Sequence, residues 1–141
     1  IFHPKIKIER KDDLIILNAK KATKKEKTIL NTLKAHIRNL IQGVNEGYEY
    51  ELKICSGHFP MNVSIQGNEL IIKNFFGEKK QRKTKIPNGA NVKIDGDIVK
   101  VSGIDIDVVS QTASKIELTT RRTGFDRRIY QDGIWMIKKA K

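Results

Sequence analysis

The feature that most constrains the fold is an order of predicted elements that occurs twice along the chain. Alternating apolar and polar residues predict a β-hairpin over residues 6–17 and another over residues 92–101. A helix and a closing strand are predicted after each hairpin. A matching order at a domain-sized offset is typical of a duplicated unit. Chance similarity between two common βα modules is the alternative.

Two capped segments predict the helices. Thr23 and Glu26 have the spacing of a capping box, in which the N-cap residue and the residue three positions later bond reciprocally. Apolar residues follow at helical spacing, and we expect Leu33, Ile37, Leu40 and Ile41 to face the sheet of the first domain while Lys34 and Arg38 face outward. Asp105 can cap a second helix, which we expect to end near Gly124. Its apolar face would comprise Val108, Val109, Thr112, Ala113 and Ile116.

These elements predict an α+β fold with two tandem duplicated domains, each an antiparallel sheet with one packed helix. The alternating segment 48–54 is interpreted as the closing strand of the first domain, and the turn at 57–60 as the boundary. The predicted domains are residues 1–59 and 60–141. The second contains an extra hairpin over 63–72, and the last strand is placed at 134–137. Because residue 1 is Ile and the first copy lacks that hairpin, we expect a fragment missing part of its N-terminus; a processed chain is the alternative.

Charge restricts the class of partner. The 141 residues include 28 Lys and Arg against 16 Asp and Glu, which gives a net charge of +12. Such an excess favours a polyanion, nucleic acid before an anionic membrane. No run approaches the roughly 18 apolar residues that a membrane-spanning helix needs. A single cysteine, Cys55, excludes an intramolecular disulfide.

Motifs for catalysis or cofactor binding are not found in the sequence. Cys55 and His58 have the spacing of half a zinc site, but the other two histidines are isolated. The Asp-Gly-Asp segment 95–97 is interpreted as a hairpin turn, because the remaining ligands of a calcium loop are missing. Neither a phosphate-binding glycine loop nor a nucleophile elbow is present. We therefore expect a protein that is not an enzyme and has no metal, cofactor or small-molecule substrate; a small hydrolase is the least favoured alternative.

Basic clusters are the functional signal that remains. Four arginines lie within residues 121–128, around Gly124, and a lysine-rich run covers 79–85. Further lysines lie at 20–27 and at the C-terminus, where a solvated face is an equally simple explanation. Guanidinium groups bind phosphate oxygens through two N–H groups at once, so the arginine cluster best fits a phosphate backbone. Without an aromatic single-strand-binding motif, we expect recognition of a folded RNA by its shape.

Several longer motifs resemble the archaeal and eukaryotic form of the large-subunit ribosomal protein L6 family. The longest is Phe-Asp-Arg-Arg-Ile-Tyr-Gln-Asp-Gly-Ile at residues 125–134. His-Phe-Pro-Met at 58–61, Asn-Phe-Phe-Gly-Glu-Lys at 74–79 and Val-Ser-Gly-Ile-Asp at 101–105 also match in order. The helix motif at 35–39 agrees as well, so the resemblance covers essentially the whole chain. One departure is Trp135, where the family usually has Tyr.

The resemblance implies a non-enzymatic component of the cytoplasmic ribosome with two related domains. It implies binding to large-subunit rRNA near the sarcin–ricin loop, with neighbouring large-subunit proteins and nearby translation factors as further partners. A free regulatory or chaperone-like nucleic-acid-binding module is the alternative. Family positions and the basic clusters together give these candidate RNA-binding residues: Lys79, Lys80, Arg82, Lys83, Lys85, Ser110, Gln111, Lys115, Arg121, Arg122, Arg127, Arg128 and Tyr130. For Ser110 and Gln111 we expect free backbone N–H groups at the start of the second helix.

Overall fold

The computed structural model describes residues 4–12 and 14–140, and these form two compact units that divide between Gln42 and Gly43. The predicted α+β class with antiparallel sheets is confirmed. Among the described residues, no helix is both long enough and apolar enough to cross a membrane. The elements in chain order are β1 (Ile6–Lys11), β2 (Leu14–Ala19), α1 (Lys24–Glu46), β3 (Tyr48–Cys55), β4 (Asn62–Gln66), β5 (Glu69–Lys73), a 3-10 turn (Phe75–Gly77), β6 (Arg82–Lys85), β7 (Ala90–Asp95), β8 (Ile98–Gly103), α2 (Ile106–Thr119) and β9 (Gly133–Lys138).

The first unit contains the predicted hairpin of β1 and β2 and most of α1. The two strands pair antiparallel, with Ile6 opposite Ala19. The capping interaction at the start of α1 is also present, because the backbone N–H of Thr23 donates to Oε2 of Glu26 at 2.9 Å and the Thr23 hydroxyl donates to the same oxygen. The Thr23 hydroxyl is the main cause that lowers the pKa of Glu26 to about 2.

The apolar stripe of α1 is covered along only part of its length. Leu33 and Ile37 are half-buried, as the helical periodicity predicts. Leu40 and Ile41 are 48% and 53% exposed, so the expectation that they lie buried against a sheet is not met in this structure. Helical spacing reports which side chains share a face, but it does not report whether a partner covers that face.

The second unit has one core enclosed by two sheets and α2. A four-stranded antiparallel sheet has the order β7-β8-β3-β9, and a three-stranded sheet has the order β4-β5-β6. The predicted face of α2 is largely correct, since Val109, Thr112, Ala113 and Ile116 are fully buried. They join a core that includes Leu52, Leu70, Ile72, Phe75, Val99, Val101 and Ile134.

Strand β3 lies in the sheet of the second unit, although the sequence predicts it as the closing strand of the first domain. It pairs with β8, where Tyr50 lies opposite Val101, and with β9, where Leu52 lies opposite Met136. The predicted boundary at residues 59 and 60 therefore lies within a compact unit that begins at Gly43. Alternation identified the buried face of β3 correctly, but the pattern of one strand does not identify its neighbours.

Helix α2 ends at Thr119, five residues before the predicted end near Gly124. Thr120 leaves helical geometry, and its hydroxyl accepts from the backbone N–H of Ile134 at 2.9 Å. This bond ties the end of α2 to β9. The residues that follow are therefore free to form an irregular loop, and this loop contains the arginine cluster.

Candidate nucleic-acid interface

Residues 121–130 form an exposed connection between α2 and β9, which we call the arginine loop. All ten residues are exposed, and the four arginines Arg121, Arg122, Arg127 and Arg128 are among them. Gly124 has a φ of +83°, a backbone conformation that side-chain-bearing residues rarely adopt. The loop closes with a hydrogen bond of 2.8 Å from the Tyr130 N–H to the carbonyl of Asp126.

Asp126 organises the middle of the arginine loop. Its carboxylate accepts from the backbone N–H of Arg128 at 3.0 Å and from Nε and Nη2 of the same residue at 3.2 and 2.9 Å. The guanidinium hydrogen bond lowers the pKa of Asp126 and raises the pKa of Arg128. The Arg128 side chain is still 90% exposed. An exposed pair of this kind contributes little to stability, so the guanidinium remains accessible to a stronger anion.

Aromatic rings fix the loop to the rest of the second unit. The ring centroids of Phe125 and Tyr130 are 5.2 Å apart, and Phe76 of the 3-10 turn lies 5.8 Å from Phe125. The ring of His58 lies 5.0 Å from that of Tyr130. The guanidinium carbon of Arg122 lies 4.2 Å from the centroid of Phe125, at cation–π distance. The loop is therefore a shaped element, although it contains no regular secondary structure.

Buried Asp132 connects the end of the loop to the turn after β3. It accepts from the backbone N–H groups of Gly57 at 2.8 Å, His58 at 3.1 Å and Phe59 at 3.4 Å, and lies 3.2 Å from Nδ1 of His58. Burial alone would raise the pKa of Asp132. The hydrogen bonds from His58 and from the turn outweigh that effect, so the pKa is lowered. No sequence motif signalled this contact, because its partners are more than 70 residues apart.

Arg82 occupies a different environment from the lysines around it. Its Nη2 and Nε donate to the carboxylate of Glu78 at 2.7 and 2.9 Å, and its Nη1 donates to the carbonyl of Thr119 at 2.7 Å. The guanidinium carbon lies 4.3 Å from the centroid of Phe75. The Arg82 hydrogen bond lowers the pKa of Glu78. In this geometry Arg82 holds the last turn of α2, just before the arginine loop.

The lysines of the run 79–85 are exposed. Lys83 and Lys85 alternate with buried Thr84 along β6, the edge strand of the three-stranded sheet, so they share its outer face. Lys79 and Lys80 precede that strand and are also exposed. Lys83 lies 3.6 Å from a carboxylate oxygen of Glu69, a loose pair that a phosphate could replace.

Ser110 and Gln111 do not lie at the start of α2, so the expectation of free backbone N–H groups at these two residues is wrong. Asp105 is the N-cap and accepts from the backbone N–H of Asp107 at 2.9 Å, so α2 begins at Ile106 and both residues lie in its second turn. Their N–H groups are within the helix, and the hydroxyl of Ser110 donates to the carbonyl of Asp107 at 3.2 Å. Two acidic side chains near the helix start also disfavour an anion there. Lys115 is exposed, further along α2.

Two cavities adjoin the arginine loop, and the sequence did not predict them. One of about 230 Å³ is lined by Glu117, Leu118, Arg121, Arg127 and Trp135. The other, of about 340 Å³, is lined by Cys55, Arg127, Gln131 and Trp135. Within the described ranges, no group of three or more His, Cys, Asp or Glu could hold a metal ion.

The chain is similar to known ribosomal proteins over nearly its whole length. The family model for ribosomal protein L6 matches residues 59–133. Large ribosomal subunit protein uL6 of Methanosarcina mazei is 43% identical over 139 residues, covering 99% of this chain and 79% of the relative. The uL6 of Methanococcus vannielii is 42% identical, covering 97% of this chain and 75% of the relative. This chain therefore belongs to the ribosomal protein L6 family, whose members are structural, non-enzymatic components of the ribosome, as the sequence predicts.

Proposed function

We propose that this chain is a structural component of the large ribosomal subunit that binds large-subunit rRNA near the sarcin–ricin loop. The names of its relatives place them in the large subunit, and identity above 40% along the chain supports the same position here. Neighbouring large-subunit proteins would contact it, and translation factors would dock nearby. The cytoplasmic ribosome is the corresponding location.

The observation that carries this proposal is the exposed, anchored arginine loop. Its four arginines project from a segment held by Phe125, Tyr130 and buried Asp132, so the cations are positioned before binding. Positioning lowers the entropy lost when an RNA backbone docks. The Asp126 carboxylate is the one acidic side chain within the loop, and it leaves Arg128 largely exposed. Arginine forks in such a loop suit phosphate oxygens.

The other candidate residues divide into two groups. Lys79, Lys80, Lys83 and Lys85 are exposed and would form a second patch of phosphate contacts. Arg82 would support RNA binding indirectly, by holding the end of α2 from which the arginine loop starts. Its donors already bond Glu78 and the end of α2. For Ser110, Gln111 and Lys115, contact with rRNA would have to be through side chains along α2.

Duplication of one α+β domain is part of the same proposal. The order of two antiparallel strands and a capped helix occurs as β1, β2 and α1 and again as β7, β8 and α2. The predicted division into residues 1–59 and 60–141 is a hypothesis about that ancestry. It would be tested by superposing the two strand–strand–helix segments in an experimental structure, where unmatched strand register would reject a common origin.

The test is binding of the full chain to a large-subunit rRNA transcript across a salt titration. The Arg127→Ala, Arg128→Ala double variant should bind more weakly. The slope of log affinity against log salt should fall by close to one unit for each lost phosphate contact. A Lys53→Ala, Lys93→Ala variant is the matched control, because it removes two exposed cations outside every candidate cluster.

Equal affinity and slope for wild type and the arginine variant, with the fold intact, would reject the arginine loop as the RNA-binding element. Chemical footprinting of the transcript tests the location. Protection of the sarcin–ricin region by the wild-type chain is expected, and protection confined to other regions would contradict that part of the proposal.

A further inference from the structure

The cavity between the end of α2 and β9 combines one aromatic ring with two arginines. We infer that it receives a single unpaired nucleotide of the bound RNA, with the base against the ring of Trp135 and the phosphate at Arg121 and Arg127. This inference rests on the proposed rRNA binding, but it concerns a different set of contacts from the phosphate backbone alone. It adds recognition of a base to an interface that the sequence predicts to read shape.

Trp135 is held in a fixed orientation at this cavity. Its indole N–H donates to the carbonyl of Gln131 at 2.8 Å, and its backbone lies in β9, which pairs with β3. An aromatic ring whose position is set before binding loses little freedom when a base stacks on it. Stacking on such a ring is a general way in which proteins bind unpaired bases.

The distance between the Trp135 ring and the Arg127 guanidinium is close to the separation that a base stacked between them would need. The guanidinium carbon of Arg127 lies 6.0 Å from the centroid of the Trp135 ring. A flat base between two flat groups needs about 6.8 Å, twice the roughly 3.4 Å spacing of stacked bases. Arg127 is exposed in the arginine loop, so a shift of under an ångström by its flexible side chain would open the gap.

The cavity is also large enough for more than solvent. Its volume of about 230 Å³ is many times the roughly 10–15 Å³ that one water molecule needs on the same measure. Leu118 adds an apolar residue to its lining. A cavity lined by an aromatic ring, an apolar residue and cations is suited to a base attached to a phosphate. A purely anionic ligand would gain nothing from Trp135 or Leu118.

Glu117 gives the cavity a preference among bases. Glu117 lines the same space, and an ionised carboxylate can only accept hydrogen bonds. The exocyclic amino groups of cytosine, adenine and guanine are donors. Uracil has no amino group, and its N3–H donor is flanked by two carbonyl oxygens that a carboxylate repels. The negative charge also opposes entry of a phosphate into the interior, which directs the phosphate to the two arginines. We therefore expect weaker binding of uracil than of cytosine, the other pyrimidine.

Trp135 is the single tryptophan of the chain, so tryptophan fluorescence reports the surroundings of this one ring. The experiment titrates the full chain with the large-subunit rRNA transcript and, separately, with single-stranded oligo(C) and oligo(U). Saturable quenching by the transcript is expected, together with tighter binding of oligo(C) than of oligo(U). Ultraviolet crosslinking followed by mass spectrometry should join a base to Trp135.

Variants separate base stacking from general weakening. Trp135→Leu should bind the transcript about 5- to 150-fold more weakly, with an unchanged salt slope, and Trp135→Tyr should restore most of the affinity. Phe59→Leu is the matched control, because Phe59 is an exposed aromatic residue outside the cavity. Should Trp135→Leu fail to fold, the wild-type titration and the Tyr variant still decide.

The inference is overturned if the wild-type chain binds the transcript with unchanged tryptophan emission and no crosslink at Trp135. It is also overturned if folded Trp135→Leu binds as tightly as wild type. If either result is obtained while the salt slope still depends on Arg127 and Arg128, the proposed rRNA binding is unaffected. The cavity would then be occupied by a side chain of a neighbouring protein or by solvent. A wild-type chain that does not bind the transcript would instead reject the proposed function, and a salt slope independent of Arg127 and Arg128 would reject the arginine loop as the RNA-binding element.

Discussion

Helices α1 and α2 have similar sequence signals but very different surroundings. Both begin at a capping residue and have apolar side chains at helical spacing. Helix α2 buries Val109, Ala113 and Ile116 completely, whereas α1 leaves Leu40 and Ile41 about half exposed. The comparison shows that capping and periodicity specify a helix and its apolar face. The amount of stability gained from that face depends on partners that the local pattern does not report.

The largest expected difference in stability is between substitutions of apolar residues in the two helices. Ile116→Ala removes a fully buried side chain and should lower the free energy of unfolding by about 2–5 kcal/mol. Leu40→Ala should change it by only about 0.5 kcal/mol, because Leu40 is already 48% exposed. Urea unfolding of the full chain measures both. Similar losses for the two variants would show that α1 is packed as closely as α2 in solution.

Gly43 is a position in α1 where the backbone is closely packed. A Cβ at this residue would overlap the carbonyl oxygen of Ile104 and lie 2.8 Å from the ring of Tyr48. Gly43→Ala should therefore lower the free energy of unfolding by about 1–3 kcal/mol, despite the better helix propensity of Ala. Asn45→Ala, at an exposed residue of the same helix, is the control. A stabilised Gly43→Ala variant, measured by the same unfolding experiment, would mean that this contact is looser than the structure has it.

Arg82 and Lys83 are adjacent cations on β6, but they differ in their contacts. Arg82 bonds the end of α2, whereas Lys83 is exposed. Arg82→Ala removes the bonds to Glu78 and Thr119 and should lower the free energy of unfolding by about 1–2 kcal/mol. Arg82→Lys should recover only part, because an ammonium group lacks the planar fork. Exposed Lys83→Ala should be neutral for stability but should reduce the salt slope of rRNA binding by up to about one unit. An unchanged stability with a reduced slope for Arg82→Ala would restore Arg82 as a direct RNA-binding residue.

Local signals in the sequence predicted most elements, whereas long-range contacts had to come from the structure. The Thr23–Glu26 spacing located α1, and alternation located β3, because both depend on neighbouring residues. The sheet that contains β3 depends on β8 and β9, which lie far along the chain. The same limit applies to the interface. The clustered positive charge identified the arginine loop. A run of basic residues in the sequence could not distinguish Arg82, which is bonded within the protein, from exposed Lys83.

The cavity at Trp135 illustrates this limit further. Its lining residues lie in α2, in the arginine loop and in β9, and no spacing rule connects these segments. The available signal was a single tryptophan a few residues after an arginine cluster. That signal acquires meaning only when the hydrogen bond to Gln131 fixes the ring beside Arg127.

The smallest expected effect concerns the start of α1 and its dependence on pH. The pKa of Glu26 is lowered from 4.5 to about 2, mainly by the hydroxyl of Thr23 and then by backbone N–H groups. Because the folded pKa is below the unfolded one, the ionised carboxylate stabilises the folded state above pH 4.5. That contribution is lost as the pH falls from about 4.5 towards 2. The first turn of α1 should therefore loosen within this interval.

The measurement is hydrogen exchange of the α1 amides as a function of pH, analysed after correction for the intrinsic exchange rate. In wild type, protection of the first turn should fall below pH 4.5. In Glu26→Gln it should be lower at neutral pH and nearly constant over the same interval, because the amide does not titrate. Glu46→Gln is a control at the opposite end of the same helix. A first turn that loses protection equally in wild type and in Glu26→Gln would show that another group controls the acid response of α1.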